Sequence, residues 1–277
     1  MTNNFQQPNT NAVSDREALN ESFTVHDGIG FSFGKGRTTA DSATRMFSLR
    51  EEIGEPKPGT SEFVAKCKKL DRRSISYRFF KRLFDVVFSL CVLVVGLIPG
   101  LLLSIAISLD TKGSPIYSQV RVGKWGKPFR IYKFRTMVAD SEEVEKYFTP
   151  EQLKAWKRER KVDNDPRITR LGSILRTTSI DETVQFVNVL IGQMSLIGPR
   201  AITFDELEYF GSEKAQLLSV APGITGMWQT GKRNLATFKN GLRQEIELEY
   251  VKGANARTDV SIFFKTFGVM FVKRTGK

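Results

Sequence analysis

Histidine and cysteine are nearly absent from this sequence, and their scarcity excludes several kinds of catalytic site. The 277 residues contain one histidine, His26, and two cysteines, Cys67 and Cys91. His26 lies in a polar N-terminal stretch, so a folded region beyond it has no histidine for a Ser-His-Asp or Cys-His nucleophile. Two cysteines cannot supply a four-ligand zinc site and give no sign of a disulfide framework. The chemistry must therefore come from carboxylates, hydroxyls, Lys and Arg, or a hard cation such as Mg²⁺.

The charge is basic and unevenly distributed. The chain has 42 Lys and Arg against 30 Asp and Glu, a formal net charge of +12. Residues 1–60 contain eight acids and six bases, so the basic excess lies beyond them. Such a surface attracts phosphate, as nucleic acid, anionic lipid headgroups or a diphosphate substrate. The first residues have no sustained apolar period and no signal-peptide pattern, which predicts a disordered or loosely structured polar arm over residues 1–72.

Charged residues are also missing from a long apolar run, Val86 to Leu109. The run is long enough to cross about 30 Å of hydrocarbon, but Pro99 interrupts it and both flanks are basic. Because the positive-inside rule requires asymmetric flanks, a helix–break–helix over residues 73–112 that enters one leaflet and returns fits better. A tilted transmembrane helix with a proline kink is the alternative, and a buried soluble helix is less favoured.

Residues 113–277 have a globular composition and predict a small α+β domain that is mostly helical. Residues 129–135 are β-prone and follow a Gly-Lys-Pro turn signal, which predicts a short β element. Residues 142–160 predict a solvated helix with a break at Pro150. The apolar segment 260–272 is too short to span a membrane and predicts either an amphipathic interfacial helix or a core helix.

The segment Ser179-Ile180-Asp181-Glu182 carries the strongest chemical signal. It matches a helix capping box, in which Glu182 bonds back to the N-cap and Asp181 only favours the helix dipole. A carboxylate in a first helical turn also stays ionised where backbone N–H groups bind phosphate, so Asp181 could attack phosphorus while Glu182 holds a cation. Several cations are available to the pair: Lys133, Arg135, Arg176, Arg200, Lys232 and Arg233. Any one alone is typical of a solvated surface charge, whereas four at sites flanked by Gly, Pro or apolar residues are typical of phosphate clamps.

At these residues the chain resembles the bacterial sugar transferase family, the monotopic polyprenyl-phosphate phosphoglycosyl transferases that begin exopolysaccharide or O-antigen synthesis. The resemblance covers roughly Tyr77 to the C-terminus and is to the small form of the family. The motifs that carry it are, in order, Lys81-Arg82-Leu83-Phe84-Asp85, Val122-Gly123-Lys124-Trp125-Gly126-Lys127-Pro128-Phe129, Lys133-Phe134-Arg135-Thr136-Met137, Asp165-Pro166-Arg167-Ile168-Thr169, Leu175-Arg176, Ser179-Ile180-Asp181-Glu182, Met194-Ser195-Leu196-Ile197-Gly198-Pro199-Arg200 and Pro222-Gly223-Ile224-Thr225-Gly226.

The resemblance implies a reaction and roles for individual residues. The Asp that matches Asp181 attacks the sugar-bearing phosphorus of a UDP-sugar, releases UMP and becomes a covalent sugar-phosphoryl enzyme. Polyprenyl (undecaprenyl) phosphate then takes the sugar phosphate from this intermediate. Glu182 is associated with Mg²⁺, and Pro99 matches the break of a re-entrant helix that keeps both ends in the cytoplasm. The positions assigned to phosphate or nucleotide contacts are Lys133, Arg176, Arg200 and Arg233.

The expected setting is the cytoplasmic face of a bacterial inner membrane. The expected partners are a UDP-sugar, polyprenyl phosphate and inner-membrane lipid, and a homodimer is also considered. Nucleic acid is not expected, because the sequence lacks interleaved aromatics on a basic face, a zinc pattern and a helix-turn-helix signal. A non-catalytic membrane-bound scaffold of the same fold is the second hypothesis. No motif in the sequence distinguishes the orientation of a sugar hydroxyl, so the sequence does not select among glucose, galactose and their N-acetyl forms as the sugar.

Overall fold

Helices dominate the residues that the computed structural model describes, which are 56–159, 162–231, 236–238 and 240–271. The helices are α1 (Ser61–Leu70), α2 (Ile75–Thr111), α3 (Val144–Tyr147), α4 (Pro150–Glu159), α5 (Arg170–Thr178), α6 (Gln185–Leu190), α7 (Phe204–Glu208), α8 (Lys214–Leu217), α9 (Met227–Thr230), α10 (Leu242–Gly253) and α11 (Ala256–Phe271). Short 3₁₀ turns cover Lys124–Gly126, Ile180–Glu182 and Gly211–Glu213. The strands are β1 (Ile116–Val122), β2 (Pro128–Phe134), β3 (Ser195–Ile197) and β4 (Gly223–Thr225). The predicted α+β, mostly helical class is confirmed.

The strands form two separate pairs. β1 and β2 make an antiparallel hairpin in which Tyr117 lies opposite Lys133 and Arg121 lies opposite Phe129. Opposite residues share a face of the sheet and alternate residues return to it, so Arg121 and Lys133 project from the same face. β3 and β4 pair in parallel, with Ile197 opposite Thr225. The short β element predicted at residues 129–135 is confirmed, since β2 covers nearly all of it.

The folded domain begins earlier in the chain than the sequence predicted. α1 starts at an N-cap, Thr60, whose side chain accepts a hydrogen bond from the backbone N–H of Phe63. Phe63 and Cys67 lie in the main hydrophobic core with residues such as Val122 and Leu217. The prediction of a loosely structured arm extending to residue 72 is therefore wrong for α1. Residues 1–55 lie outside the described residues.

The apolar run forms one long helix, α2, with Pro99 inside it. The predicted division into two helices is wrong for the secondary structure, because a proline can bend a helix and remove one hydrogen bond without ending it. The helix is long and apolar enough to cross a membrane. Its middle is exposed, with Val95 at 79% and Ile98 at 70%. These apolar surfaces fit a membrane-inserted helix.

Both halves of α2 are anchored to the rest of the domain. In the first half, the carboxylate of Asp85 accepts a hydrogen bond from the backbone N–H of Leu196, at 2.9 Å. The Arg82 guanidinium donates to the last two carbonyls of α6, at 2.6 and 2.9 Å. In the second half, Ile107 is fully buried against Phe134 and Leu175. The free apolar stretch therefore lies between two attached segments.

The C-terminal helix α11 has an inner and an outer apolar face. Ile262 is buried in the main core. Val260, Phe264 and Phe267 are 56%, 67% and 40% exposed. The core-helix expectation is therefore confirmed for the inner face, and the interfacial position of the outer face stays a prediction.

Candidate active site

Asp181 and Glu182 lie in the 3₁₀ turn between α5 and α6. Ser179, just before them, has a left-handed backbone with φ of +57° and ends α5, because its N–H bonds to the carbonyls of Arg176 and Leu175. Its side chain makes no capping hydrogen bond, and α6 begins only at Gln185. The predicted capping box is therefore wrong, since a left-handed residue cannot have the extended backbone of an N-cap. The carboxylates are available for other contacts.

Glu182 pairs with a lysine from the β-hairpin. Lys133 Nζ lies 2.7 Å from Glu182 Oε1, and both side chains are about a quarter exposed, 26% and 27%. The pair joins β2 to the turn after α5, 49 residues later in the chain. One of the candidate cations, Lys133, therefore lies beside the acidic pair, and its role in binding phosphate stays a prediction.

Asp181 is the more buried carboxylate, with 9% of its surface exposed. Burial raises its pKa above the usual value, and the negative charge of Glu182 raises it further. The positive charges of Lys133 and Arg176 oppose this rise. The ionised form of Asp181 therefore depends on cations that lie beside it.

Arg176 reaches this cluster because α5 packs tightly against the end of the hairpin. Its Nε donates to the hydroxyl of Thr136, at 2.8 Å. Thr169 caps α5 by accepting the Gly172 N–H at 2.9 Å. A Cβ on Gly172 would lie only 2.0 Å from the Thr136 carbonyl oxygen, so only glycine permits this approach. The Thr169 cap and the close approach of Gly172 to Thr136 thus set the position of α5 and of Arg176.

The other predicted cations lie elsewhere. Arg135 donates from Nε to the carbonyl of Ser114 at 2.7 Å, and its contacts among the described residues do not include either carboxylate of the pair. Arg200 follows β3, and its guanidinium lies 5.6 Å from the centre of the Trp228 ring. Arg233 and Lys232 lie outside the described residues. The structure therefore brings together Asp181, Glu182, Lys133 and Arg176 from the predicted set.

A second charged group near Arg200 was missed from the sequence. Arg121 of β1 donates from Nη1 to Glu206 Oε2 at 3.2 Å, and Arg243 Nη1 lies 3.7 Å from the other oxygen of Glu206. The buried carboxylate of Glu247 accepts the backbone N–H of Arg200 at 3.2 and 3.3 Å. The available sequence signal was the four-residue spacing of Arg243 and Glu247, which places both on one face of α10.

The two carboxylates of the acidic pair could hold Mg²⁺ only together with oxygen ligands from a substrate. Among the residues described, no group of three or more His, Cys, Asp or Glu side chains is placed to hold a metal. Mg²⁺ is commonly bound through one or two carboxylates together with substrate phosphates and water. Asp181 and Glu182 provide such a donor set, and Glu182 already has a cation, Lys133, at 2.7 Å.

Fold and site together define a basic, mostly helical domain that carries a membrane-compatible helix and a carboxylate pair beside cations of two other elements. The family model described as bacterial sugar transferase matches residues 76–273. This match covers most of the sequence, and the chain belongs to the bacterial sugar transferase family. The resemblance read from the motifs is confirmed.

Three relatives illustrate the family. A UDP-galactose-lipid carrier transferase of Erwinia amylovora is 41% identical over 204 residues, 73% of this chain and 42% of that protein. An undecaprenyl-phosphate galactose phosphotransferase of Salmonella typhimurium is 40% identical over 205 residues, 73% of this chain and 42% of that protein. The exopolysaccharide production protein ExoY of Sinorhizobium fredii is 35% identical over 244 residues, 86% of this chain and 98% of that protein. The chain thus spans less than half of the first two and nearly all of the third.

Proposed function

We propose that this chain is a polyprenyl-phosphate hexose-1-phosphate transferase. It transfers a sugar 1-phosphate from a UDP-sugar to undecaprenyl phosphate, releases UMP and starts exopolysaccharide synthesis. The observation that carries the proposal is the buried carboxylate of Asp181 beside the Lys133–Glu182 pair. The names of the Erwinia and Salmonella relatives, which specify a lipid carrier or undecaprenyl phosphate and a galactose donor, support the substrate classes.

The reaction proceeds in two displacements at one phosphorus. A carboxylate oxygen of Asp181 forms a bond to the sugar-bearing phosphorus while the bond from that phosphorus to the UMP oxygen breaks, and UMP leaves with the electron pair. A phosphate oxygen of undecaprenyl phosphate then attacks the same phosphorus, and Asp181 leaves as a carboxylate. Lys133 and Arg176 stabilise the ionised Asp181 and the phosphate charge in a partly desolvated site. When Mg²⁺ is bound, Glu182 would hold it, and its charge would offset that of the diphosphate.

Release of UMP tests the reaction. The full-length chain in lipid nanodiscs, with Mg²⁺, undecaprenyl phosphate and one of UDP-glucose, UDP-galactose or their N-acetyl forms, should release UMP with one of these donors. Asp181→Asn should abolish release, because an amide is not a nucleophile for phosphorus. Asp205→Asn, which changes an exposed carboxylate at the start of α7, is the matched control and should retain activity. An unimpaired Asp181→Asn enzyme contradicts the proposal, and an inactive wild type with every donor favours the scaffold.

The covalent step has its own test. Without undecaprenyl phosphate, the wild type should accumulate a sugar-phosphoryl group on the peptide that contains Asp181. Mass spectrometry would detect the added mass, and Asp181→Asn should lack it. Turnover without any trapped adduct, at every quench time, would favour direct transfer between the two substrates.

We also infer that α2 enters the membrane from the cytoplasmic side, bends at Pro99 without a break in its secondary structure, and returns to that side. Ser89 is buried in the domain, and a Cβ on Gly100 would lie 3.9 Å from the Phe134 ring. Only residues 90–99 lie between these two contacts, and ten helical residues extend about 15 Å, half of the hydrocarbon thickness. This geometry supports insertion into one leaflet of the inner membrane.

Cysteine labelling tests this topology. In a background with Cys91 replaced by serine, single cysteines at Ser76 and Ser114 should both react with an impermeant reagent only after the cytoplasmic side is exposed. Cys67 is fully buried and supplies an internal control that should stay unlabelled. Reaction of either introduced cysteine from the periplasm would instead support a helix that spans the membrane.

A further inference from the structure

Arg243, in α10, is a buried cation with incomplete hydrogen bonding. It is 8% exposed. Its Nε and Nη2 have no hydrogen-bond partner in the part of the chain that the structure describes. Its Nη1 lies 3.7 Å from Glu206 Oε1, which is beyond hydrogen-bond distance. Buried N–H donors without acceptors are unfavourable, and burial lowers the pKa of Arg243 to about 10. The guanidinium therefore has donors for an anion.

Aromatic rings hold this guanidinium but do not satisfy its N–H groups. The centre of the Arg243 guanidinium lies 4.2 Å from the centroid of the Trp228 ring and 3.9 Å from that of Phe238. A ring face attracts the positive charge, whereas the five N–H donors require acceptors in the guanidinium plane. The aromatic contacts thus fix the position of the cation and leave its donors for another partner.

Arg167 provides a comparison within the same chain. It is equally buried, at 8%, and its guanidinium lies 4.4 Å from the centroid of the Phe148 ring. Its Nε and Nη2 donate to the carboxylate of Asp165, at 2.9 and 2.6 Å, and its Nη1 donates to a backbone carbonyl. Arg167 is a structural arginine with its donors used, so the unsatisfied donors of Arg243 are not a general property of buried arginines here.

Two further arginines add positive charge at this point. Arg200 lies over the same Trp228 ring, and Arg121 also has a buried Nε with no partner among the described residues. The positive charge of Arg200 lowers the pKa of both Arg121 and Arg243. Three cations therefore meet two carboxylates, those of Glu206 and Glu247, and the cluster has an excess of positive charge.

The cluster is close enough to the acidic pair to share a ligand with it. Arg121 and Lys133 project from the same face of the hairpin, and Arg121 lies four positions along β1 from Tyr117, the residue opposite Lys133. This separation is about 13 Å along the strand, which two long side chains can shorten considerably. Glu182 is among the charges that act on Arg121. A diphosphate could therefore contact both groups of cations.

We propose that Arg121, Arg200 and Arg243 form a second anion subsite that binds the phosphate of the leaving nucleotide. Lys133 and Arg176 act at the phosphorus that Asp181 attacks, whereas the second subsite stabilises the phosphate of UMP as it departs. Arg121 and Arg243 donate their unpartnered N–H groups to phosphate oxygens in charge-assisted hydrogen bonds. The identity of the nucleotide as UMP rests on the proposed function.

Equilibrium binding of UMP tests the subsite without turnover. The full-length chain in nanodiscs is titrated calorimetrically with UMP, uridine and inorganic phosphate. Arg243→Gln and Arg121→Gln should each weaken UMP binding by about tenfold or more, since each removes charge-assisted hydrogen bonds. Binding of uridine, which has no phosphate, should not change. The matched control is Arg130→Gln, on the opposite face of the hairpin, where Arg130 donates to Ser118 at 3.2 Å, and its UMP affinity should equal that of the wild type.

The outcomes separate this proposal from its alternatives. Wild-type UMP affinity in both folded variants overturns it, as does an equal loss of uridine affinity. A variant that loses affinity for undecaprenyl phosphate but keeps its affinity for UMP also overturns the proposal, because the cluster would then bind the acceptor. If Arg243→Gln does not fold, Arg121→Gln decides, because its guanidinium keeps some exposure, 17% of the side chain.

The proposed function and the subsite can fail independently. If the wild type turns over no UDP-sugar but the variants lose UMP affinity, the subsite proposal stands and the transferase proposal is rejected. Unchanged UMP affinity in the variants of an active enzyme rejects only the subsite.

Discussion

Replacement of Glu247 by glutamine should stabilise the protein at alkaline pH. Glu247 is 1% exposed, and its carboxylate accepts the backbone N–H of Arg200. Burial raises its pKa from 4.5 to about 7, although the charges of Arg243 and Arg200 and the hydrogen bond act in the opposite direction. The folded protein therefore binds the Glu247 proton more tightly than the unfolded chain does.

The pKa values give the sign and size of the effect. Below pH 4.5 the carboxyl is protonated in both states, and its ionisation does not affect the free energy of unfolding. Between pH 4.5 and about 7 the unfolded chain ionises first, so the stability of the folded state falls as the pH rises. Since one pKa unit corresponds to about 1.4 kcal/mol, the full difference is about 3 kcal/mol above pH 7. Glutamine keeps an oxygen acceptor for the Arg200 N–H and cannot ionise.

Thermal unfolding as a function of pH measures this difference. Relative to the wild type, Glu247→Gln should melt about 6–12 °C higher at pH 8 and at nearly the same temperature at pH 4. Glu249→Gln, on the same helix and exposed, should show neither change. A Glu247→Gln protein that melts below the wild type at pH 8 would refute the reasoning. It would mean that Arg243 and Arg200 stabilise the ionised carboxylate by more than burial destabilises it.

Three further predictions concern the site and its supports. Gly172→Ala should lower the melting temperature and UMP release together, because its Cβ would meet the Thr136 carbonyl at 2.0 Å and displace α5. Asp259→Asn should lower the free energy of unfolding by about 3 kcal/mol in a denaturant titration, because Lys81, paired with it at 2.6 Å, keeps a buried charge without a counterion. In the pH profile of kcat/KM for UMP release, the apparent pKa of the acidic limb should lie above the usual Asp value of 3.8, because burial raises the pKa of Asp181. An apparent pKa at or below 3.8 would contradict this.

Local sequence patterns predicted the strand that carries Lys133 better than the backbone of the turn that carries Asp181 and Glu182. The turn signal before residue 129 and its β-branched and aromatic residues were sufficient for β2, and β2 carries Lys133 to the acidic pair. The capping box at Ser179 failed because the pattern is also compatible with a left-handed Ser179 that ends the preceding helix. The choice between these backbones depends on where α5 and α6 pack, which a four-residue pattern does not contain.

Tertiary contacts also explain why α1 was missed. Its sequence is short and basic, and the two residues that reach the core, Phe63 and Cys67, are four positions apart. Two apolar positions are a weak helical signal, and most helical stability in proteins comes from the packing of such a face against partners. The partners are far along the chain, in β1 and α8. The cluster of Arg121, Arg200 and Arg243 escaped sequence reasoning for the same reason, since its members come from three separate segments.

Contacts of α2 connect this apolar helix to the candidate site. The guanidinium of Arg82 binds the carbonyls at the C-terminal end of α6, and the carboxylate of Asp85 binds the backbone of β3. α6 follows the Asp181–Glu182 turn directly, so a shift of α2 along its axis would move the acidic pair as well. Helix-end carbonyls need a donor wherever water is scarce, and Arg82 supplies one from α2, the helix that is long and apolar enough to cross a membrane. If α2 inserts as proposed, the contacts that fix its depth also fix the height of Asp181 above the headgroups, where the phosphate of the proposed lipid acceptor must reach it.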